Sequence, residues 1–354
     1  MMNRSRGLRI ALVPLVALLG VLVTLLVLRR DSCPPLPKDG PGVSRIDLGA
    51  QVLHVAAGPK GIWAIRRHHG GERPYDLVEL DPATGKIRGA PVKLPVHAGP
   101  LDVGTDAVWV TSFTPTKTPR GTLFRVDPAA HRIVSQLPLE RAASSVSVGE
   151  GGVWVAIPDA NMVVRIDPTG RRVVTRVPVE DGPDLVLARG GAVWVSNRYA
   201  SAALHRIDPS TGRRTGDMEG RLANVGPDAV WVIGSGAPNG RLLRIDPTAV
   251  RPVGPALGLD ILPATVGIAG RDVWVGRYFS YCDPRISGPY GFAALSVGWF
   301  RVDPSTMKPL SGPVHVGGNT KTPAFASGAF WIAPDDGKEV IRIDLATAGE
   351  VRPA

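Results

Sequence analysis

Two short phrases alternate along most of this chain, and their repetition constrains the fold more than any other feature. The first phrase is an apolar residue, then Trp, then usually Val, and it occurs at Trp63, Trp109, Trp154, Trp194, Trp231, Trp274 and Trp331. The second phrase ends in an Asp that Pro mostly follows, at Asp81, Asp127, Asp167, Asp208, Asp246, Asp303 and Asp344. A repeat of this period indicates an architecture built from similar units.

The spacing of the phrases separates fixed structure from variable loop. Each Asp precedes the next Trp by 23 to 28 residues, whereas each Trp precedes its own Asp by 13 to 29. Within one unit, alternating or β-branched runs at 144–148, 153–157, 163–167 and 172–179 predict four strands. The Asp-Pro-x-Thr-Gly sequence at 81–85 predicts a tight turn between the third and fourth strands, because Asp accepts a backbone N–H and Gly supplies a left-handed residue.

Four strands in roughly 40 residues, repeated seven times, predict an all-β fold, a seven-bladed β-propeller of four-stranded blades. The propeller is predicted to span residues 43–354, with the tryptophans as core packing. The run 43–48 precedes Trp63 by the distance at which a fourth strand precedes its next Trp. We therefore expect this run to pair with residues 340–344 and close the ring.

The segment before the propeller has a different composition. Residues 1–9 form a basic tail, and residues 10–28 carry no charge and are long enough to span a bilayer as one helix. No small-residue cleavage site precedes Arg29 and Arg30, which favours an uncleaved signal anchor over a cleaved signal peptide. Residues 29–42 read as a Pro-rich tether. The excess of basic groups before the helix predicts a single-pass cell-membrane protein with its propeller outside the cytoplasm.

The net charge of +10 does not indicate a nucleic-acid partner. Five of the arginines precede residue 31, and no basic run is interleaved with exposed aromatic residues. Cys33 and Cys282 are compatible with an oxidising compartment, and whether they form a bridge is left open.

The loops between the second and third strands are candidate binding loops, and the face that carries them is called the far face. The tether is expected to enter at the opposite face, so the far face points away from the membrane. Its loops are basic and partly aromatic, which suits an extracytoplasmic protein or an acidic or carbohydrate-like ligand, although a solvated loop rim has the same composition. The candidates on this face are Arg66, His68, His69, Arg198, Arg277 and Tyr278.

Charged residues near the mouth of the central channel form a second candidate set. Alignment of the units ten residues before each Trp brings together Asp184, Arg221 and Lys321, and alignment seven residues before each Trp adds Asp102. Such convergence predicts an anion or zwitterion pocket, although small residues at a crowded axis also fit plain packing. We predict no catalytic residue, metal or cofactor, because the sequence has no nucleophile elbow, P-loop or paired-cysteine site.

The phrases at 152–155 (Gly-Val-Trp-Val) and 165–170 (Arg-Ile-Asp-Pro-Thr-Gly) resemble the repeat units of bacterial YVTN-type propellers, a group close to the NHL-type and virginiamycin B lyase-like propellers. The resemblance covers residues 43–345. It implies the fold and, because many related proteins are secreted or anchored binding and sensor domains, a sensor-like binding or scaffold module. The lyase-like relatives imply an alternative, a lyase or hydrolase that acts at the channel mouth with magnesium and a histidine base, but the resemblance does not assign these groups to particular residues of this sequence.

Overall fold

The computed structural model describes residues 38–70, 74–95, 97–114, 120–197, 203–234, 240–259, 265–281, 294–317, 322–335 and 337–350. The chain divides into two compact units, one of residues 37–279 and 296–354, the other of residues 1–36 and 280–295. The first unit contains the propeller. No helix among the described residues is long and apolar enough to cross a membrane. The predicted anchor at 10–28, Cys33 and Cys282 lie outside the described residues, and these predictions stay open.

Seven antiparallel sheets make up the described part of the propeller, which confirms the predicted seven-bladed, all-β fold. The first strands are β2 (Gln51–Gly58), β6 (His97–Val103), β10 (Ser145–Gly149), β14 (Pro183–Arg189), β18 (Arg221–Val225), β23 (Thr265–Ala269) and β27 (Ala324–Ala326). The second strands are β3 (Gly61–Arg67), β7 (Val108–Phe113), β11 (Gly152–Ile157), β15 (Ala192–Asn197), β19 (Val230–Gly234), β24 (Asp272–Tyr281) and β28 (Ala329–Ile332).

The outer half of each sheet follows the same order. The third strands are β4 (Tyr75–Leu80), β8 (Gly121–Asp127), β12 (Met162–Ile166), β16 (Ala203–Ile207), β20 (Arg241–Asp246), β25 (Ala294–Val302) and β29 (Glu339–Asp344). The fourth strands are β5 (Ile87–Leu94), β9 (Arg132–Leu139), β13 (Val173–Pro178), β17 (Arg214–Glu219), β21 (Arg251–Pro252) with β22 (Leu257–Gly258), β26 (Val314–Gly317) and β1 (Val43–Asp47). In blade five the fourth strand is thus broken into two short segments, both paired with β20.

The first strands contact one another in a closed ring around the axis, in the order β2, β6, β10, β14, β18, β23, β27 and back to β2. The ring closes because β1, from the start of the propeller, pairs antiparallel with β29 from its end, with Val43 opposite Ile343. A short helix, α1 (Leu345–Gly349), follows β29, and the Asp344 side chain caps it by accepting a hydrogen bond from the Thr347 N–H.

The two repeated phrases are neighbours across the second and third strands, which explains why they repeat together. In blade three Trp154 pairs with Arg165, and the guanidinium carbon lies 5.8 Å from the centroid of the indole ring. Arg165 also donates to the carbonyl oxygen of Pro209 in the next blade at 2.9 Å. Arg206 donates to Pro247 in the same way. In blades three and four the Arg of the second phrase therefore ties its blade to the Asp-Pro turn of the next.

The Asp of the second phrase is a turn residue, as predicted. In the turns that follow β4, β8, β16, β20 and β25, its Oδ1 accepts the backbone N–H groups two and three residues on. Hydrogen bonds from the side chain and N–H of Ser210 and from the N–H of Thr211 lower the pKa of Asp208 to about 2. Asp303 makes the equivalent bonds, and its pKa is also lowered to about 2.

Candidate functional site

A cavity of about 450 Å³ lies within the ring of first strands, and it is called the axial cavity. Small and apolar residues dominate its wall, as a crowded axis requires, and its ionisable groups are His54, Asp102 and Arg189. All seven blades contribute to the lining, which consists of His54, Val55, Ala56, Ala57, Pro100, Leu101, Asp102, Ser144, Ser145, Val146, Leu185, Leu187, Arg189, Ala223, Asn224, Ile268, Thr322, Pro323, Ala324, Phe325 and Ala333.

The residue seven positions before each Trp occupies an equivalent place in every blade, because it pairs directly with that Trp. Three of these residues are polar, and two illustrate their role. Ser147 Oγ accepts from the Ala188 N–H at 3.0 Å, and Asn224 Nδ2 donates to the Val266 carbonyl oxygen at 2.8 Å. Each side chain reaches the backbone of the next blade, so these polar groups tie neighbouring blades together around the axis.

Asp102 is the third polar member, and its carboxylate is surrounded by donors from the chain itself. Its Oδ2 accepts from the Val148 N–H of the next blade at 2.7 Å, and its Oδ1 accepts from the Val103 N–H at 2.9 Å. The Ser147 hydroxyl also hydrogen-bonds to it. Burial raises the pKa of Asp102 above its ordinary value, against the opposing effect of the nearby Arg189 charge and these hydrogen bonds. Asp102 therefore lines the cavity and also holds two blades together.

The alignment ten residues before each Trp does not place Asp184 and Arg221 at equivalent strand positions. Bulges in the first strands shift the register between Val52 and His54, Ala98 and Leu101, Pro183 and Leu185, and Leu222 and Asn224. Asp184 lies in such a bulge and Arg221 pairs with Ile233. Both are exposed, and neither is among the described residues that line the axial cavity. Lys321 lies outside the described residues.

Arg66 was expected in a loop, but it lies within β3 and is buried, with 7 % of its surface exposed. Its guanidinium donates two hydrogen bonds of 2.9 Å to the fully buried carboxylate of Asp76 and a third, of 2.6 Å, to the carbonyl oxygen of Leu48. His68 Nε2 and Lys93 Nζ lie 3.0 and 3.3 Å from the same carboxylate. Burial would raise the pKa of Asp76, but its partners, Arg66 foremost, lower it. This cluster fastens the segment after β1 to blade one.

Of the remaining far-face candidates, the structure describes the side chains of His69 and Arg277. His69 is exposed beyond the end of β3. Arg277 and Tyr278 were expected in a long loop, but β24 continues to residue 281, because aromatic residues favour strands. The Arg277 guanidinium carbon lies 5.8 Å from the centroid of the Phe300 ring, and burial lowers the pKa of Arg277. Arg198 and the side chain of Tyr278 lie outside the described residues.

A second cavity of about 360 Å³ lies at the far-face end of blade four, and it is called the rim cavity. Sequence reasoning missed it. Its signal was His205, which stands before the Arg of the second phrase, where other units carry an apolar residue such as Val164. Ligand-capable side chains dominate the lining, which consists of Glu180, Asp181, Asn197, Ala203, His205, Arg214, Asp217, Met218 and Glu219.

The described part of the chain contains no group of three or more His, Cys, Asp or Glu side chains that could hold a metal ion. The magnesium chemistry that the lyase-like resemblance implies therefore has no described site to which it can be assigned.

These observations define the protein as a seven-bladed β-propeller with an axial cavity and a rim cavity. No family model matches the chain. No curated protein matches it either. Among solved structures, it is similar to hydrazine synthase of Kuenenia stuttgartiensis, with 14% identity and a TM-score of 0.48 over 64% of this chain and 70% of that one. A likeness at this level carries no argument about function, and the resemblance to YVTN-type propellers rests on the repeated phrases.

Proposed function

We propose that the protein is a membrane-anchored, extracytoplasmic binding or scaffold module whose small ligand occupies the axial cavity. The observation that carries the proposal is the cavity itself. Its volume of about 450 Å³ falls within the range of small-molecule sites, roughly 300 to 1,000 Å³. Its wall is shared by all seven blades, so the ring that stabilises the fold also gives the site a rigid shape.

The polar groups of the axial cavity suit an acidic or carbohydrate-like ligand. Arg189 is exposed, and its guanidinium matches a carboxylate in shape and charge. Ser144 Oγ uses its proton to bond the Pro183 carbonyl oxygen, which leaves lone pairs that can accept from a ligand hydroxyl. A sugar acid would meet both groups.

The membrane part of the proposal rests on the sequence at 10–28 and on the direction of β1. This strand begins at the face where β29 ends, opposite the far face, so a tether on that side leaves the far face accessible. Deletion of residues 1–30 should move the protein from the membrane fraction to the soluble fraction. A deletion variant that stays in the membrane fraction would refute the anchor without touching the cavity argument.

Ligand binding can be tested by thermal unfolding of the full chain in a non-ionic detergent with a panel of uronic acids, hexoses and dicarboxylates. We expect a uronic acid to raise the melting temperature, and Ala223→Trp, which fills the axial cavity, to abolish the rise. Val174→Trp is the matched control, because Val174 lies on β13 and is 49 % exposed. An equal rise in both variants, or no rise with any compound, would refute axial binding.

A further inference from the structure

We infer that the rim cavity of blade four binds a primary ammonium group. This site is separate from the axial cavity and does not depend on the function proposed for it. The inference starts from Asn197, the last residue of β15, which lines the rim cavity and is 6 % exposed. Its Oδ1 is buried and has no hydrogen-bond partner among the described residues. A buried acceptor in this state favours a ligand that brings a donor.

The neighbours of Asn197 fix which side of its amide is the oxygen. One amide atom lies 2.7 Å from the carbonyl oxygen of Glu180, which can only accept, so this atom must be Nδ2. The same Nδ2 lies 3.2 Å from His205 Nε2. Both protons of Nδ2 are therefore used within the chain. Rotation of the amide would place two acceptors against each other, so Oδ1 stays the unpartnered atom.

The state of His205 agrees with this assignment. Its Nδ1 lies 2.6 Å from Asp217 Oδ1, an acceptor, so Nδ1 carries the proton. In this tautomer Nε2 accepts from Asn197 Nδ2. The Arg214 guanidinium donates to the same Asp217 oxygen at 3.1 and 2.8 Å. Asp217, His205 and Asn197 thus form one ordered chain of hydrogen bonds that ends at the unpartnered Oδ1.

The negative charge of the rim cavity favours a ligand whose hydrogen-bond donor is positively charged. Among the described residues, four carboxylates and one guanidinium line the cavity; the guanidinium is paired with Asp217, and Asp181 has an interaction of its own. Glu180 and Glu219 are exposed at its edge. The described residues offer no cluster of three metal-binding side chains. A primary ammonium fits best, because it offers three protons to acceptors and its charge offsets that of the carboxylates. The source is either a free aliphatic amine or a lysine side chain of a polypeptide.

Isothermal titration calorimetry of the full chain in a non-ionic detergent at neutral pH tests the inference, with butylammonium chloride as the probe and butanol as its neutral counterpart. We expect saturable binding of one butylammonium per chain and none of butanol. The double variant Glu180→Gln/Glu219→Gln should bind about fivefold more weakly, because each exposed carboxylate contributes a modest Coulomb attraction. Both substitutions are at exposed positions and keep the side-chain shape.

Glu140→Gln is the matched control, because Glu140 is exposed just beyond the fourth strand of blade two, as Glu180 is beyond that of blade three. This control and Ala223→Trp should both bind butylammonium as the unchanged protein does. Tighter binding of N-acetyl-lysine methylamide than of butylammonium would assign a polypeptide source, and weaker binding a free amine. No saturable binding of butylammonium, or equal affinity in the double variant and the control, would overturn the inference.

Discussion

The axial cavity and the rim cavity are of comparable size, about 450 and 360 Å³, but they leave different polar atoms to a ligand. In the axial cavity the Asp102 carboxylate accepts hydrogen bonds from two backbone N–H groups and from Ser147. In the rim cavity the amide of Asn197 uses both of its protons but leaves Oδ1 without a described partner. A charged residue beside a cavity is therefore weaker evidence for a binding site than a buried polar atom whose partners can be counted and found missing.

The cluster of Arg66, Asp76, His68 and Lys93 resembles Asp102 in this comparison, because its polar atoms are paired within the chain. Asp76 has every partner that a buried carboxylate needs, and Arg66 also bonds the Leu48 carbonyl oxygen next to the closing strand. The cluster lies near a loop, is basic and contains a histidine, yet its hydrogen bonds are internal. If internal hydrogen bonds mark the groups that stabilise the fold, loss of Arg66 or Asp102 should cost more stability than loss of the groups that remain for a ligand.

The largest effect is expected from Arg66→Ala. The variant leaves the Asp76 carboxylate buried beside only His68 and Lys93, and removal of one partner from a buried ion pair costs about 3–5 kcal/mol. Urea unfolding followed by tryptophan fluorescence should show this loss in the free energy of unfolding. Arg67→Ala, the exposed neighbour, should change it by less than about 0.5 kcal/mol. A similar small change in both variants would show that the cluster does not stabilise the fold.

Asp102→Ala should have the next largest effect. It leaves the N–H groups of Val103 and Val148 without their acceptor inside the ring, and each lost acceptor costs about 1–3 kcal/mol. We expect a total loss of about 2–3 kcal/mol in the same urea measurement, at the low end of the sum, because the substitution also removes a carboxylate whose burial is unfavourable. Asp106→Ala, at an exposed position of the same hairpin, is the control and should be nearly neutral. A neutral Asp102→Ala would mean that this carboxylate is available to a ligand after all.

The blades could be predicted from the sequence because both repeated phrases lie in paired strands. The pairing seen between Trp154 and Arg165 recurs in the same register in other blades. The sequence could not give the register of the first strands at the axis, because a bulge such as the one around Asp184 adds a residue without changing the spacing of the phrases. It also failed for Arg66, whose partner Asp76 lies across the variable stretch of the unit. His205, a polar residue at an apolar position, was a readable signal for the rim cavity.

A smaller effect, with a defined pH dependence, is expected at the Asp208 turn. Its pKa in the folded protein, about 2, lies below the ordinary value of 3.8. The carboxylate therefore stabilises the fold above about pH 4, and this contribution is lost as the pH falls towards 2. Asp208→Ala should lower the melting temperature by about 2 °C at pH 7, and this difference should shrink as the pH falls through 2. A difference of undiminished size at pH 2, or an equal drop in the Asp228→Ala control, would contradict the turn role.

The smallest effect on stability is expected from Glu180→Gln/Glu219→Gln, the double substitution that should weaken butylammonium binding. Glu180 and Glu219 are exposed and lie beside other carboxylates, so Glu180→Gln/Glu219→Gln removes repulsion and should change the free energy of unfolding by less than about 0.5 kcal/mol. Urea unfolding measures this change, with Glu140→Gln as the control. A loss of 2 kcal/mol would place these carboxylates with Asp102 and Arg66 among the groups that hold the propeller together. Unchanged stability with weakened butylammonium binding would instead show that these polar groups of the rim cavity bind a ligand and do not stabilise the blade around them.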